Sequence, residues 1–228
     1  MKKIGILGGI SHYSTIEYYR RIIDLYNSMY NSIDYPEIII YSLSFGRFKK
    51  LEDLHNTDEY LDYISQGITG LISSGAEIVA LAANSPHSMI KELKNKFDIP
   101  IISAIDSAFN EAGRLQIKKG LLLGIKFTMQ SSFYQDRFKQ GSIDLITPNL
   151  QEQEIIHDII LHRLVYGQAI DAISSNELLK VISNYEVDGV ILGCMRLPIF
   201  FNNQTIKGLN LVNTLDKHIE DILNMAIE

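Results

Sequence analysis

The sequence contains a single cysteine, Cys194, within the segment ILGCMRLP at residues 191–198. A free cysteine is among the most buried residue types, where it acts as a small apolar side chain. It can also work as an acid–base group when a helix N-terminus or a cation such as Arg196 lowers its pKa. Cys194 stands at the end of an aliphatic run and not within it, which is an argument for chemistry. The residues alone leave both interpretations open.

A second polar segment, AANSPH at residues 82–87, also follows an aliphatic run. Asn84 and Ser85 offer an amide, a hydroxyl and backbone N–H groups suited to holding a carboxylate. The same residue types are ordinary helix caps, so a structural role stays open. His87 is either an acid–base group, a ligand or a histidine hydrogen-bonded within the core.

The segment GGIS at residues 8–11 follows the first aliphatic run. Gly9 lets the backbone approach a ligand, and Ser11 comes just before a predicted helix whose first N–H groups favour an anion. The alternative is a tight turn, and the pattern is not the GxGxxG of dinucleotide-binding proteins. Arg47 follows the second aliphatic run and could add positive charge at the same edge.

These segments must be positioned by the aliphatic runs that precede them. Five runs are apolar on both faces, as in strands of a parallel sheet covered by helices on both sides. They lie at residues 2–8, 37–43, 77–83, 120–125 and 188–194, with weaker candidates at 99–103, 143–146 and 209–212. The alternation with helical patterns predicts an α/β protein.

The predicted helices lie at residues 14–31, 58–73, 87–97, 128–140, 151–166, 174–184 and 214–227. Ser14 and Thr128 stand where N-caps are expected. GILGG near residue 7 resembles LLLGI near 123, and ALAANS near 83 resembles VILGCM near 194. The two matches are consistent with two half-chain repeats, in which residues 83 and 194 are equivalent strand ends.

Composition excludes several classes of protein. The 228 residues carry a net charge of −6 without a basic block, which predicts no nucleic-acid partner. One cysteine cannot form an intramolecular disulfide or a multi-thiolate zinc site, and we predict no metal site. No apolar run approaches the ~20 residues of a membrane span, and the N-terminal apolar run is too short for a signal peptide. We therefore expect a soluble, cytoplasmic protein.

The combined segments resemble the aspartate/glutamate racemase family, which are pyridoxal-independent amino-acid racemases. The resemblance is carried by KKIGILGGIS at the N-terminus, AEIVALAANSPH, LLLGIKFTMQSSFY (121–134) and DGVILGCMRLP, in order and spacing. It implies two pseudo-symmetric domains, each a parallel sheet flanked by helices, with the active site in the interdomain cleft. We place the domains at 1–104 with 212–228, and at 105–211.

The resemblance implies a homodimer without a cofactor, acting on a small dicarboxylate or acidic amino acid. Family members usually carry one cysteine in each domain, so that two thiols can exchange the roles of base and acid on the two faces of Cα. Here Cys194 is the expected catalytic residue. The expected substrate-binding residues are Gly9, Ser11, Arg47, Asn84, Ser85, Thr128 and Arg196.

This chain departs from the family pattern near the expected chemistry. Ala83 stands at the first cysteine position and cannot transfer a proton. Met195 and Arg196 replace the threonine and glutamate that usually follow the second cysteine. The first hypothesis is a racemase of aspartate or glutamate that uses Cys194. A single thiol also suits the decarboxylation of malonate-type substrates, as in the similar arylmalonate decarboxylases. The third hypothesis is a catalytically silent carboxylate-binding protein.

Overall fold

A computed structural model of the protein describes residues 1–54, 56–164, 171–201, 206 and 208–228. The chain forms two compact units. The first contains Met1–Ser103 and His218–Glu228, and the second contains Ala104–Lys217. The domain limits drawn from the sequence stay a prediction. The C-terminal segment of the first unit begins at His218, six residues after the predicted start at 212.

The first unit is built on a four-stranded parallel sheet. Its strands are β1 (Ile4–Gly8), β2 (Ile38–Ser42), β3 (Ile78–Leu81) and β4 (Ile101–Ile102), in the order β2-β1-β3-β4. Every residue of β1 and β3 is buried, which is why both central strands have continuous aliphatic sequences.

Helices pack against this first sheet. They are α1 (His12–Tyr30), α2 (Phe45–Asp53), α3 (Thr57–Ser73) and α4 (Ile90–Lys96), with a 3₁₀ turn over Ser85–Met89 and the end of α11 (Thr214–Ile227). α3 begins at the N-cap Asn56, whose side chain accepts a hydrogen bond from the Glu59 N–H. Side chains of the sheet, such as Leu7 and Leu81, pack against helix residues such as Phe48 and Ile64 in one apolar core.

The second unit repeats the same plan. Its sheet contains β5 (Lys119–Leu123), β6 (Asp144–Ile146), β7 (Gly189–Leu192) and β8 (Asn210–Asn213), all parallel, in the order β6-β5-β7-β8. The helices are α5 (Ala104–Arg114), α6 (Lys126–Gln130), α7 (Phe133–Lys139), α8 (Leu150–His162), α9 (Ala172–Ser183) and α10 (Leu197–Phe201). A capping box between Asn149 and Glu152 begins α8.

The strand order confirms the predicted fold class and the two half-chain repeats. In each unit the central strands are the first and third of the four, with the second strand at one edge and the fourth at the other. The chain therefore changes direction across the sheet between the central strands. In open α/β sheets such a switch point lies where ligands bind, at the carboxyl ends of the strands.

Several local predictions differ from the structure. The sequence patterns missed α2, α5 and α10, and the predicted helix 128–140 is two short helices with a break at Ser131. Ser14 and Thr128 are not N-caps, because α1 begins after Ser11 and α6 begins after Ile125. The last two residues of the predicted helix 151–166 lie outside the described residues.

Within the described ranges, no helix combines the length and the apolar character that a membrane span requires.

Candidate active site

The turn after β1 brings Gly9 against the end of β2. Gly9 has a φ of +87°, and a Cβ there would overlap the Leu43 carbonyl and lie 2.6 Å from the Leu43 nitrogen. The Gly9 N–H donates to Thr15 Oγ1 at 2.9 Å, and this hydroxyl donates in turn to the Ser11 carbonyl. Only glycine fits this turn, because both its φ and the close approach of β2 exclude a side chain.

Ser11 ends the turn as the N-cap of α1. Its hydroxyl is buried and makes no hydrogen bond to the described part of the chain. A buried hydroxyl without a partner carries a desolvation cost that a bound polar group can remove. The predicted binding residue Ser11 therefore has a hydroxyl available to a ligand.

Arg47 lies in the first turn of α2, which follows β2. Its side chain is exposed, and the guanidinium lies 4.2 Å from the centre of the Tyr63 ring. The Tyr63 hydroxyl accepts a hydrogen bond of 2.9 Å from the Ser44 N–H, which anchors the ring at the start of the same helix. This cation–π contact holds Arg47 at the strand ends while leaving its N–H groups accessible.

Asn84 and Ser85 follow β3. Asn84 lies just before the 3₁₀ turn, and Ser85 is the first residue of that turn. Both are buried, and the Asn84 carbonyl accepts a hydrogen bond from the His87 N–H at 3.0 Å. The His87 ring is fully buried, and Nδ1 lies 2.9 Å from the Ala83 carbonyl oxygen. A carbonyl can only accept, so His87 Nδ1 carries the proton and donates it to Ala83. His87 is therefore a hydrogen-bonded core residue that fixes the backbone of this turn.

His87 packs against a second buried histidine, His218 of α11, with the ring centres 5.6 Å apart. His218 Nε2 donates to the Ile102 carbonyl at 3.0 Å, which leaves Nδ1 to accept from the Tyr18 hydroxyl at 2.7 Å. Burial, together with the charge of His87, lowers the pKa of His218 to about 3. His218 is therefore neutral and joins α1, β4 and α11 in the first unit.

In the second unit, Thr128 lies over the ends of the two central strands. A Cβ on Gly124 would be 3.1 Å from the Thr128 Cβ, and one on Gly193 would be 3.3 Å from Thr128 Cγ2. The side chain is 1% exposed, and within the residues described its Oγ1 has no hydrogen-bond partner. Thr128 thus resembles Ser11 as a buried hydroxyl at the carboxyl end of a sheet.

Cys194 follows β7 by two residues and is half-buried. Burial raises the pKa of the thiol, while the N–H groups of Arg196 and Leu197 and the charge of Arg196 act in the opposite direction. The thiol therefore lies at a helix start and near a cation, in an environment that partly offsets desolvation of the thiolate.

Met195 and Arg196 are both turned into the second unit. The Arg196 side chain is 7% exposed, and Nε donates to the Leu164 carbonyl at 3.1 Å, just after α8. Met195 Sδ lies 3.9 Å from Thr214 Oγ1, whose hydroxyl donates to the Leu192 carbonyl at 2.6 Å. Binding of a ligand by Arg196 stays a prediction. In the structure, Arg196 is hydrogen-bonded to the Leu164 carbonyl.

Ala83 and Cys194 have equivalent places in the two sheets. Leu81 pairs with Leu7 and Leu192 pairs with Leu123, and each pair is the last in register between the central strands. Ala83 and Cys194 each come two residues later. The sheet register therefore supports the sequence-based pairing of these two positions.

The strand ends thus bring the predicted residues together in two groups. Gly9, Ser11, Arg47, Asn84 and Ser85 follow three neighbouring strands of the first sheet, and Thr128, Cys194 and Arg196 follow the two central strands of the second. Sequence analysis missed the supporting residues Thr15, Tyr63 and His218. Of these three, the threonine carried a local signal, because its spacing of four residues from the N-cap Ser11 suits contact across one helical turn.

Two sheets of identical strand order, each with polar residues and glycines at its central strand ends, define a duplicated α/β protein. Open α/β sheets in general bind their ligands at such strand ends. The model of the Asp/Glu/Hydantoin racemase family matches residues 7–221, and the chain belongs to this family.

Individual relatives agree with the family. The chain is similar to the broad specificity amino-acid racemase RacX of Bacillus subtilis (strain 168), with 28% identity over 67% of each chain. It is 23% identical to the glutamate racemase of Exiguobacterium sibiricum over 62% of this chain and about half (52%) of that protein. The crystal structure of an aspartate racemase homologue from Pyrococcus horikoshii OT3 matches all of both chains, with 29% identity and a TM-score of 0.84.

Proposed function

We propose that the protein moves a proton at Cα of a small acidic amino acid, with Cys194 as the acid–base group and no cofactor. Family membership supports racemase-like function. The observation that carries the finer proposal is the equivalent placement of Ala83 and Cys194 after the third strand of each sheet. The family resemblance predicts a cysteine at both positions, and this chain has one at position 194 and an alanine at position 83.

In this proposal the strand ends of the first unit bind the substrate carboxylates. The Ser11 hydroxyl, the Asn84–Ser85 turn and the accessible guanidinium of Arg47 supply donors to an anion. Gly9 lets the backbone approach the ligand closely. Donors placed at a carboxylate also stabilise the negative charge that develops there when the α-proton leaves.

Cys194 acts on one face of Cα. As the thiolate it takes the α-proton, the electron pair passes into the adjacent carboxylate, and the thiol then returns a proton to the same carbon. Inversion needs a second donor on the opposite face. Ala83 has none, and the buried His87 uses its Nδ1 proton on the Ala83 carbonyl. We therefore expect exchange at Cα to be faster than inversion.

The same observation favours a second candidate, the decarboxylation of a malonate-type substrate. Loss of CO₂ leaves the electron pair on the carbon, and one thiol suffices to protonate that carbon on one face. This reaction needs no group at position 83. A third candidate, a carboxylate-binding protein without turnover, keeps the donors of the first unit and leaves the thiol unused.

One set of measurements separates these functions. The full chain is incubated in D₂O with L- or D-aspartate, and NMR follows loss of the α-proton while a chiral separation follows inversion. Exchange that exceeds inversion supports the one-thiol enzyme, and comparable rates show a second acid. CO₂ release from phenylmalonate without exchange on amino acids replaces the racemase proposal with the decarboxylase. Cys194→Ser is expected to lower either activity by about 10²–10⁴-fold.

Alkylation tests the remaining candidate. Iodoacetamide should modify Cys194, and aspartate should protect it if the thiol and the carboxylate donors bind the same ligand. Binding of aspartate without exchange, decarboxylation or protection would support the binding protein. The expected homodimer also stays part of the proposal, and sedimentation velocity of the full chain tests it.

A further inference from the structure

The exposed apolar side chains of the first unit are concentrated along one edge of its sheet. Among the described residues, nine large apolar side chains between Ile16 and Phe45 are 38–89% exposed. They belong to consecutive elements, namely α1, its connection to β2, β2 itself and the start of α2. Single exposed apolar residues are ordinary, whereas a concentration of them marks an interaction surface.

β2 leaves one side of its backbone open. It is the terminal strand of the first sheet, and no strand of the described chain pairs with its outer edge. Its ladder with β1 uses the Glu37 carbonyl and the Leu43 N–H, in hydrogen bonds of 2.9 and 3.0 Å. Because alternate residues of a strand bond to the same neighbour, the N–H and C=O groups of Ile38, Ile40 and Ser42 point away from β1.

The sequence of β2 lacks the features that normally protect an edge strand. Its residues, IIIYS, include no charged side chain and no proline. The charged residue just before the strand, Glu37, is paired with Lys3 at 2.9 Å. An apolar edge without such protection is a template for pairing with another strand.

α1 carries an apolar stripe in addition to the face that packs on the sheet. Ile16, Tyr19, Ile23 and Tyr30 follow one another at intervals of three, four and seven residues, so they lie on one side of the helix. Ile16, Tyr19 and Tyr30 are 55%, 42% and 47% exposed. The neighbouring Tyr18 is fully buried and marks the face that is turned to the sheet.

Tyr18 also shows which flank of α1 carries the stripe. His218 of α11 is bonded to the Tyr18 hydroxyl and to the Ile102 carbonyl of β4. β4 is at the opposite edge from β2, so α11 lies on the β4 side of α1. Parallel strands joined through a helix form a right-handed crossover. In that arrangement, the turn of about 100° from Tyr18 to Tyr19 leads from the sheet toward β2. The stripe therefore lies on the flank next to β2.

Ile40 lies on the same face of the sheet as α1. Tyr41 packs against α3, since a Cβ on Gly70 would lie 2.5 Å from Tyr41 Cε2. The connections through α1 and α3 run in opposite directions across the sheet, so their common handedness places these helices on opposite faces. Successive strand residues also point to opposite faces, and Ile40 is 43% exposed. Ile40 and the stripe of α1 together form what we call the edge surface.

We propose that the edge surface is the interface between two copies of this chain, joined by antiparallel pairing of their β2 strands about a two-fold axis at Ile40. The outward N–H and C=O of Ile40 exchange hydrogen bonds with the partner's Ile40, and Ile38 pairs with the partner's Ser42. The two sheets become one eight-stranded sheet. Both α1 helices lie on the same face of it, with their stripes turned toward each other.

A second copy fits this surface for three reasons. The outward groups of β2 are arranged symmetrically about Ile40, so each donor meets an acceptor of the same strand in an antiparallel partner. The nine exposed side chains present about 900 Å² at roughly 200 Å² for each complete side chain, and a stable interface takes about 800 Å² from each partner. α1 is rich in tyrosine and arginine and contains no lysine, which is the composition of interface cores.

The first test measures the oligomeric state of the full chain by sedimentation velocity over a range of protein concentrations. Ile40→Lys places two ammonium groups beside the two-fold axis, so it should raise the dissociation constant of the dimer by about 10²-fold or more. Tyr19→Glu acts on the stripe instead of the strand and should raise it by about tenfold or more. Circular dichroism shows whether each variant folds, and either variant suffices if the other does not.

The matched control is Ile72→Lys. Ile72 of α3 is 38% exposed, close to the exposure of Ile40, but its helix lies on the opposite face of the sheet. Ile72→Lys should therefore sediment as the wild type does.

The second test checks the register in a Cys194→Ser background. In the proposed pairing the two Cα atoms of residue 40 are about 5.5 Å apart, within the reach of a disulfide. Ile40→Cys should thus cross-link two chains in oxidised glutathione. Ser42→Cys is the control, because the two copies of residue 42 are about 13 Å apart. It should cross-link at least about tenfold more slowly, since its thiols meet only by collision.

The inference rests on the proposed function only in that a homodimer is part of it. A wild-type dimer that Ile40→Lys and Tyr19→Glu dissociate, with selective cross-linking at position 40, supports the inference. A dimer that withstands both substitutions, or that cross-links equally fast at position 42, overturns this interface and leaves the homodimer standing. A wild type that is monomeric at every concentration overturns the interface and the homodimer together. The D₂O exchange assay decides separately whether a proton is moved at Cα.

Discussion

His87 donates a hydrogen bond of 2.9 Å from Nδ1 to the carbonyl oxygen of Ala83. This bond fixes the backbone at the one position where the chain lacks the thiol that the family resemblance predicts. The imidazole is buried, and its ring also packs against His218. The backbone of residue 83 is therefore held in place, and its methyl side chain has no group that could transfer a proton.

Replacing Ala83 by cysteine should restore the missing acid–base group. Because His87 holds the backbone of residue 83, the new side chain should project from a well-defined position. We expect Ala83→Cys to raise the rate of aspartate inversion in the D₂O assay by about 10²-fold, the lower end of the range for acid–base catalysis.

The matched control is Ala83→Ser, which adds a hydroxyl of similar size that does not ionise near neutral pH. It should leave inversion at the wild-type rate. Equal rates in a folded Ala83→Cys protein and in the wild type would contradict the account in which the absence of this thiol limits inversion.

Arg196 should lower the pKa of Cys194 although its Nε is bound to the Leu164 carbonyl. Removing the charge in Arg196→Gln should shift the midpoint of iodoacetamide alkylation to higher pH, as for loss of a nearby opposite charge. The variant also removes a buried hydrogen bond, so its free energy of unfolding should fall by about 1–3 kcal/mol.

Arg163→Gln is the control for this experiment. Arg163 pairs with Asp171 at 2.6 Å and is more exposed than Arg196, so its removal should leave the alkylation midpoint unchanged. A common shift in the two variants would show that general surface charge, and not Arg196, acts on the thiol.

His218 should make the protein less stable in mild acid. Its pKa is about 3 in the folded state and about 6.5 when exposed, so the unfolded chain binds more protons between these values. The contribution of His218 to stability is therefore present above about pH 6.5 and is lost as the pH falls. The loss should reach about 2 kcal/mol at pH 5.

Urea unfolding at several pH values measures this effect. His218→Gln should have a flatter dependence of the free energy of unfolding on pH, whereas His162→Gln, at an exposed histidine, should keep the wild-type slope. Equal slopes in all three proteins would show that His218 is not the group that couples stability to pH.

Gly9 should be far less tolerant of alanine than Gly75. Both glycines have a left-handed φ, but a Cβ at Gly75 meets nothing within 4 Å, whereas one at Gly9 overlaps the backbone of Leu43. Gly75→Ala should cost about 1–2 kcal/mol of unfolding free energy from φ alone. Gly9→Ala should cost more than this and should weaken succinate binding, since the turn at the strand ends must move.

Much of the fold could be predicted because it depends on local patterns. The central strands β1 and β3 are buried on both faces and are therefore aliphatic throughout, and β5 and β7 are nearly so. The missed helices had weaker signals. α2 has a charged, half-exposed sequence, and α10 has only five residues, so tertiary contacts decide their conformation.

The strand-end residues could also be predicted, because a polar residue after a buried strand lies at the edge where parallel strands end. The contacts of those residues could not. Arg196 binds the carbonyl of Leu164, and Arg47 lies over Tyr63. Each pair joins different elements, and no spacing along the chain encodes which ones.

The sequence by itself therefore determined the α/β class and the single thiol, since these follow from residue type and short-range periodicity. Its strand patterns were consistent with a duplication that pairs Cys194 with Ala83, and the family resemblance supported this pairing. Only the tertiary structure decided that His87 supports Ala83 and that His218 is bound between Tyr18 and Ile102. The physical reason is that hydrogen bonding and desolvation depend on which distant side chains folding brings within a few ångströms.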